Sequence, residues 1–420
     1  MSNEIHIDDL SNPIYTDIQR AALNYGETLT VELTRQSILA EAEQKTGLTD
    51  WGSEDFLPRL DLLCDEWNSD EGLVGIGRLS LRNKLLQHAT SRLLIENQFK
   101  RHPEIHAIQI KKPIIVTGLP RSGTTHLLNL MASDSRLRAL PLWESYEPVP
   151  MPGEDLLADG TDQRYQRCAD SWDTMQAMTP HLAAMHPMNP DHIHEELELM
   201  GPNFGSYNYE WLCHSPRWRD YYFAEDQTYQ YEYMRDVLKL LMWQQRDTDR
   251  STRWVLKCPQ HLEQLPVLLK VFPDATIAIT HRDPVAVIQS SITMLAYGQR
   301  LSRQHVMTEQ LLRYWTDRIQ HLLRACSIDR HTLPDNQTID VPFHELIKDT
   351  VAAVEKIYDK AGLPMTDQAR TELSQFVDDH KGAYGRVVYD LKGQFGADPA
   401  QLRECFGFYY DAFPVMRSDF

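Results

Sequence analysis

The segment GLPRSGTT, residues 118–125, has the residue types of an anion-binding loop. Gly118 and Gly123 have the spacing of the P-loop glycines, but Thr124 stands where that motif carries lysine. Glycine permits a tight turn, and successive N–H groups at a helix start bind anions. Arg121 adds positive charge, and Thr124 and Thr125 add hydroxyl donors. The segment therefore predicts a site for one phosphate or a phosphosulfate, and the missing lysine disfavours nucleoside triphosphate hydrolysis.

A second candidate anion site lies in THRDPVAVIQSS, residues 280–291. Arg282 follows a predicted strand, and Ser290 lies about two turns along the helix that comes next. Ligands bind at this edge of a parallel sheet. The alternative is that Arg282 simply pairs with Asp283 or Glu263, as many surface arginines pair with a carboxylate.

The elements that must position these residues alternate between strands and helices. Such alternation predicts an α/β fold, a P-loop-type parallel sheet flanked by helices, with an N-terminal helical layer and a helical C-terminal region. We predict strands over residues 113–118, 253–257, 275–280 and 337–341. Helices are predicted over residues 79–103, 123–132, 189–200, 261–272, 283–295 and 399–413.

Two parts of the chain are expected. Residues 1–100 form a helical extension that packs on the core, and residues 101–420 form the α/β domain. Within that domain, residues 141–230 are rich in Pro, Met, Trp and Tyr and lack a long period, which is typical of a lid or acceptor pocket. The aromatic residues of this segment also suit an ordinary core.

Composition limits the partners. The 420 residues carry a formal net charge of −18, which argues against nucleic acid or an anionic membrane as partner. No secretory signal and no membrane-spanning run is recognisable, and the six cysteines are scattered. We therefore expect a cytoplasmic protein with reduced thiols that acts on a small molecule; whether it forms a homo-oligomer is left open.

Several ordered blocks resemble the PAPS-dependent sulfotransferases, in particular the bacterial group whose loop reads GLPRSGTT. The resemblance extends over about residues 79–413 and is carried by PIIVTGLPRSGTTHLLNLMASD, LPLWESYEP, WVLKCPQHLEQLPVLLKVFPDATIAITHRDPVAVIQSS and YGRVVYDLKGQFG. It implies an enzyme that moves a sulfuryl group from PAPS (3′-phosphoadenylyl sulfate) to a hydroxyl, in preference to an amine, of a small apolar or aromatic acceptor. No metal is required in principle.

The same resemblance implies the nucleotide-binding residues. Arg282 and Ser290 would bind the 3′-phosphate, with Arg386 near it or near the adenine. His126 stands where the cytosolic animal branch has tryptophan, so adenine stacking is expected to differ. The 5′-phosphosulfate would be bound by residues 121–126, namely Arg121, Ser122, Gly123, Thr124, Thr125 and His126.

Three residues are candidates for the chemistry. By resemblance, Lys257 neutralises the leaving oxygen, and His261 is a candidate base because its ordinary pKa suits that role. The spacing from Lys257 to His261 is, however, two residues longer than in the cytosolic branch. Glu195, chosen over Glu196 by resemblance, is the rival base, and both glutamates equally suit the positive end of a helix.

The sequence is also compatible with other functions. A degenerate P-loop kinase or NTPase would bind Mg·ATP, and a catalytically inactive PAP-binding protein would bind the nucleotide without turnover. A zinc or iron site is disfavoured because no third ligand at helical spacing accompanies the histidines His181, His186, His192 and His194.

Overall fold

A four-stranded parallel sheet lies at the centre of the computed structural model, which describes residues 4–246, 251, 253–380 and 385–418. The order across this sheet is β3-β2-β4-β5, and β1 pairs in parallel with β6 in a separate two-stranded sheet. The α/β class is confirmed. The strands are β1 (Glu4–His6), β2 (Ile114–Gly118), β3 (Val255–Lys257), β4 (Thr276–His281), β5 (Thr338–Pro342) and β6 (Arg386–Val388).

The register of the sheet brings the predicted site residues to one edge. Every residue of β2, β3 and β4 is buried, as expected for β-branched strands covered on both faces. Val116 of β2 lies beside Lys257 of β3, and Gly118 lies beside Thr280 of β4. The carboxyl ends of the three strands therefore place the 118–125 loop, Lys257 and Arg282 side by side.

Helices precede the sheet and form a layer of their own. The second to fourth bury a cluster that includes Leu60, Trp67 and Leu85, and this cluster also contains Tyr209 and Trp218 from later in the chain. The long fourth helix ends before Pro103, close to the predicted boundary. These helices are α1 (Asp17–Glu27), α2 (Arg35–Thr46), α3 (Leu57–Asn68) and α4 (Gly75–Arg101).

The remaining helices surround the sheet and build the cavity beside it. Among the described residues, no helix is both long enough and apolar enough to cross a membrane. Short 3₁₀ turns occur at Pro103–Ala107, Gly201–Asn203, Pro259–Glu263 and Arg330–Thr332. The α-helices are α5 (Thr124–Ala132), α6 (Leu142–Tyr146), α7 (Gln163–Met178), α8 (Leu182–Met185), α9 (Leu197–Met200), α10 (Asn208–Leu212), α11 (Pro216–Ala224), α12 (Thr228–Gln244), α13 (Leu265–Val271), α14 (Pro284–Ser302), α15 (Thr308–Asp329), α16 (Phe343–Lys348), α17 (Thr350–Lys360), α18 (Asp367–Asp379), α19 (Leu391–Phe395), α20 (Pro399–Glu404) and α21 (Gly407–Ala412).

The prediction of a helix over residues 189–200 is wrong. Only Leu197–Met200 is helical, because the preceding residues pair with another segment instead. Ile193 bridges to Pro141, the His194 N–H donates to the Leu140 carbonyl at 2.8 Å, and the Leu142 N–H donates to the His192 carbonyl at 2.9 Å. A tertiary contact has therefore overridden the local capping signal.

Two other helix predictions need smaller corrections. The predicted helix 399–413 is two helices, since α20 ends at Glu404 and α21 begins at Gly407. The predicted helix 261–272 begins with the 3₁₀ turn Pro259–Glu263 and becomes α-helical at Leu265. His261 therefore lies in that turn and not in an α-helix.

Candidate active site

The 118–125 loop leads from the end of β2 into the start of α5, with Gly123 as the N-cap residue. Gly123 adopts φ +85°, in the left-handed region that favours glycine, and a Cβ there would lie 3.0 Å from the Phe343 ring. Arg121 also has a positive φ, +62°, which is uncommon for a side-chain-bearing residue and is characteristic of functional loops. The backbone is thus held in a conformation that presents N–H groups at a helix N-terminus.

Ser122 uses its polar groups to hold the loop. Its hydroxyl donates to the Leu119 carbonyl at 2.5 Å and lies 2.7 Å from Thr280 Oγ1, and its backbone N–H donates to the same carbonyl at 3.3 Å. The residue is fully buried. Ser122 therefore shapes the predicted anion site, while the neighbouring residues supply its open donors.

Two arginines meet at the mouth of the loop. Arg282 Nη1 donates to the Arg121 carbonyl at 2.5 Å, and the Arg282 guanidinium lies 4.1 Å over the Phe343 ring. Burial, followed by repulsion from Arg121, lowers the pKa of Arg282. Asp283 caps α14 and binds Arg403 instead, so the pairing of Arg282 with Asp283 is not formed.

Neither arginine has a carboxylate partner among the described residues, within the 4.0 Å of an ion pair. Glu263, the other candidate partner of Arg282, lies 2.6 Å from Arg318. Arg282 Nε is moreover buried without a hydrogen-bond acceptor. Two adjacent guanidinium groups without a carboxylate partner, in a protein of net charge −18, could hold an anion.

Ser290 joins this site through a short chain of hydrogen bonds. Arg121 Nε donates to Ser290 Oγ at 3.0 Å, and Ser290 Oγ donates to the Tyr389 hydroxyl at 2.9 Å. The structure thus brings Arg121, Arg282 and Ser290 together as predicted. It also adds Tyr389, which the sequence reasoning missed because a lone tyrosine three residues after Arg386 carries no motif.

Arg386 and His126 lie outside this cluster. Arg386 opens β6 with an exposed side chain and pairs in register with Glu4, and no contact joins it to the other predicted residues in the described chain. His126 lies exposed on α5, with its ring 6.2 Å from the Phe376 ring. The structure therefore leaves both residues beside the site and not within its hydrogen-bond network.

Lys257 connects the loop to a carboxylate. Its Nζ donates to Thr125 Oγ1 at 3.0 Å and forms a short ion pair with Glu195. Lys257 is almost fully buried, and Glu195 is nearly so. Burial raises the pKa of Glu195 above its ordinary value of 4.5, although the ammonium group of Lys257 opposes that shift.

Glu196 and His261 do not line the cavity and lie against each other, with His261 Nε2 3.6 Å from Glu196 Oε2. Glu196 accepts a hydrogen bond from the Lys257 backbone N–H at 2.7 Å, and His261 Nδ1 lies 2.9 Å from the Tyr231 hydroxyl. Both side chains are fully buried. Their geometry is that of core residues that hold the β3 end in place, which favours Glu195 over His261 as the group that meets a ligand.

A cavity of about 760 Å³ opens beside Lys257 and Glu195. These two residues, Arg121 and Thr125 are part of its lining, and other walls come from α4, α7, α10, α14 and α15. A cavity with mostly apolar walls and a few converging polar groups is typical of a small-molecule site. The apolar walls include Leu81, Met175, Leu182, Met188, Trp211, Met294, Leu295, Leu311 and Trp315.

The histidines near this cavity are neutral, and His194 is buried while His186 is half-buried. His186 and His194 line it with ring centroids 5.8 Å apart, and burial lowers the pKa of His194 to about 3 and that of His186 well below its usual value. Among the residues that the structure describes, no group of three or more His, Cys, Asp and Glu side chains is arranged to hold a metal ion. His186 and His194 are therefore suited to act as neutral polar groups on the cavity wall.

The site can perform a definite kind of chemistry. A carboxylate of raised pKa lies against a buried ammonium group, and both lie between an anion-binding loop and an apolar cavity. A hydroxyl in the cavity could lose its proton to the carboxylate while the ammonium and the loop amides stabilise negative charge on a transferred anionic group.

Comparison with known proteins agrees with this geometry. The sequence model described as the sulfotransferase family matches residues 113–367. No curated protein matches the chain. Among solved structures, the sulfotransferase STF1 from Mycobacterium tuberculosis is 27% identical with a TM-score of 0.77, over 91% of this chain and 100% of that chain.

A second solved structure supports the same fold. The sulfotransferase STF9 from Mycobacterium avium has a TM-score of 0.81 at 23% identity, over 92% of this chain and 98% of that chain. The family model covers more than half of the 420 residues and includes the loop, Lys257, Glu195 and Arg282. This chain belongs to the sulfotransferase family.

Proposed function

We propose that the protein transfers the sulfuryl group of PAPS to a hydroxyl group, in preference to an amine, of a small acceptor with an apolar or aromatic body. One observation carries the proposal: Lys257 Nζ contacts both Thr125 of the anion-binding loop and Glu195 of the cavity wall. The anion site, a buried cation and a candidate base thus meet where the cavity ends. Such placement is what in-line group transfer requires.

The residues present fit the donor nucleotide. Arg121 and Arg282 lie together without a carboxylate, and Arg282 Nε is buried without an acceptor, so a bound phosphate would satisfy both charges. We assign the loop residues 121–126 to the 5′-phosphosulfate, and Arg282 and Ser290 to the 3′-phosphate. When bound, PAPS supplies the sulfuryl group to be transferred.

Glu195 and Lys257 divide the chemistry. Glu195 takes the proton of the acceptor hydroxyl as that oxygen forms its bond to sulfur. The bond from sulfur to the bridging oxygen breaks, and Lys257 donates to that oxygen as it takes up negative charge. This chemistry needs no metal, because proton transfer and charge stabilisation are both supplied by side chains.

Lys257 has a second role in the same arrangement. As the ion-pair partner of Glu195, its ammonium group favours the charged carboxylate that a base must be, against the effect of burial. When Glu195 takes up a proton, its ion pair with Lys257 weakens, and the ammonium group can then stabilise the negative charge that develops on the leaving oxygen. The two events would therefore be linked through Lys257. His261, whose Nδ1 faces Tyr231, is given only a structural role in this proposal.

The proposal is tested by titrating the purified protein with PAP in a calorimeter, with Mg·ATP in a parallel titration. We expect PAP to bind without magnesium and Mg·ATP to bind at least tenfold more weakly. Folded protein that binds Mg·ATP but not PAP would support a degenerate P-loop kinase or NTPase instead.

A turnover assay separates an enzyme from an inactive PAP-binding protein. Mass-tagged PAPS is incubated with a panel of phenols and alcohols, and labelled products are detected by mass spectrometry. Lys257→Ala is the matched variant, and we expect it to keep PAP binding while losing turnover. If the unmodified protein binds PAP but labels no member of the panel, the result favours a catalytically inactive PAP-binding protein over an enzyme.

A further inference from the structure

The helix α4 lies outside the region that the family model matches, yet it forms one wall of the cavity. The matched region begins at residue 113, whereas α4 spans Gly75–Arg101. Its contribution covers three turns of helix on one side of the cavity. The lining residues from α4 are Gly77, Ser80, Leu81, Asn83, Lys84 and Gln87.

Close contacts with neighbouring helices hold α4 in place beside the cavity. A Cβ on Gly77 would lie 2.4 Å from the Ser302 carbonyl, so only glycine allows α4 to approach the end of α14 this closely. His88 of α4 contacts α9 and α10, with Nδ1 2.7 Å from the Tyr209 hydroxyl and Nε2 3.2 Å from Glu198. The wall is therefore positioned by both neighbours, and its side chains set the width of the cavity.

Beyond the reaction centre, the charges that line the cavity are already compensated. Burial alone would raise the pKa of Glu198, but Lys84 and His88 hold it at about 2, so the carboxylate is charged and paired. The histidines there are neutral, as described above. The remaining pairs are Arg167 with Glu147 and Glu154, and Glu210 with Arg318.

The size of the cavity gives a second constraint. A volume of about 760 Å³ lies within the range of about 300–1,000 Å³ that is typical of pockets for drug-sized ligands. A single phenol ring would leave most of that space without contacts. A charged group placed there would meet walls whose ionic side chains are paired with one another, and would lose its hydration without compensation.

We infer that α4 is the acceptor-selecting wall of this enzyme, and that its acceptor is a large uncharged alcohol whose apolar body is bigger than a single ring. The inference rests on the proposed function, because it places the reacting hydroxyl at Glu195. It assigns acceptor choice to a segment that precedes the matched family region and leaves donor binding to the 118–125 loop.

The test narrows the cavity from α4. Ser80 lines the cavity and is exposed, and its side chain makes no hydrogen bond within the described part of the chain, so Ser80→Trp adds bulk without disturbing the core. Arg101→Trp places the same bulk at the exposed end of the same helix and serves as the control. The probes are para-nitrophenol, a neutral steroid alcohol, and the same steroid alcohol carrying a carboxylate at its far end.

We expect the unmodified enzyme to show at least tenfold higher kcat/KM for the neutral steroid alcohol than for the other two probes. Ser80→Trp should lower that value at least tenfold, while para-nitrophenol turnover and the Kd for PAP stay within twofold. Arg101→Trp should change none of these values more than twofold. Calorimetric binding of the steroid alcohol should weaken in parallel with turnover.

Distinct outcomes separate this inference from the proposed function. An enzyme that binds PAP and labels para-nitrophenol, but prefers the carboxylate-bearing probe or is insensitive to Ser80→Trp, overturns the inference and leaves the proposed function standing. Equal losses for all acceptors in Ser80→Trp also overturn it. Failure of the unmodified protein to bind PAP overturns the proposed function itself.

Discussion

Replacing Glu195 by glutamine separates the two candidate bases with little change in shape. Glutamine keeps an oxygen that can accept a hydrogen bond from Lys257, so the buried ammonium group is not left without a partner. What disappears is the ability to take a proton. The substitution therefore removes general-base catalysis while preserving the packing around Lys257.

The expected loss follows from the role assigned to the carboxylate. General-base catalysis contributes about 10²- to 10⁴-fold in rate, which corresponds to about 2.7 to 5.4 kcal/mol of activation free energy. We therefore expect kcat of Glu195→Gln to fall by two to four orders of magnitude. The Kd for PAP should change little, because Glu195 pairs with Lys257 and not with Arg121 or Arg282.

The pH dependence of kcat provides a second test of Glu195 as the base. Glu195 is active as a carboxylate, so kcat should fall as the pH is lowered through its pKa, and burial places that pKa above its ordinary value of 4.5. The acidic limb should be absent from the residual activity of Glu195→Gln. Steady-state kinetics across the acid range, with the same acceptor throughout, measure both quantities.

His261→Gln is the comparison that makes the result decisive. His261 is buried against Tyr231, so the variant should lose stability, by about 1 to 3 kcal/mol for a buried hydrogen-bonding group left unpaired. Its kcat per folded molecule should stay within threefold of the parent. The reasoning is refuted if Glu195→Gln keeps its activity while folded His261→Gln loses it.

Further expectations concern the donor site and stability. Arg282→Ala should weaken PAP binding by about 10- to 100-fold, because it removes a charge-assisted hydrogen bond of about 1.5 to 3 kcal/mol. Arg386→Ala should weaken PAP binding far less, and calorimetry measures both variants. Gly123→Ala should lower the unfolding temperature and PAP affinity together, because φ is +85° there. Glu198 has a folded pKa of about 2, below its ordinary 4.5, so it stabilises the protein above about pH 4.5 and this contribution is lost towards pH 2. Urea unfolding of Glu198→Gln across that window should show a weaker pH dependence than the parent.

The sheet and its ligand-binding edge could be predicted from the sequence. Short runs of β-branched residues, such as IIVTG, are bounded by glycine or by a charged residue and lie between helical patterns, so their type and order are readable locally. Arg121, Arg282 and Ser290 follow two of these strands, and the parallel arrangement brings them together. Local pattern and topology agree at this edge.

The cavity walls could not be predicted in the same way. Asn189 and Pro190 have the types of a helix start, but the following residues pair with the segment around Pro141, which is remote in sequence. Tyr389 reaches Ser290 from about 100 residues further along the chain. Such contacts depend on tertiary placement, which leaves no period in a single sequence.

The site depends on the register of the extended segment formed by residues 192–195, that is, on which of its side chains faces Lys257. Side chains along an extended segment alternate between two sides, and here Glu195 meets the Lys257 ammonium group whereas Glu196 meets the Lys257 backbone. Inserting one residue between Pro190 and His194 would move Glu195 to the place of Glu196 and put His194 opposite the Lys257 ammonium group, although both glutamates would still be present in the sequence. A homologous chain that retains the pair of glutamates but is one residue longer in this segment would therefore keep the motif and lose the base.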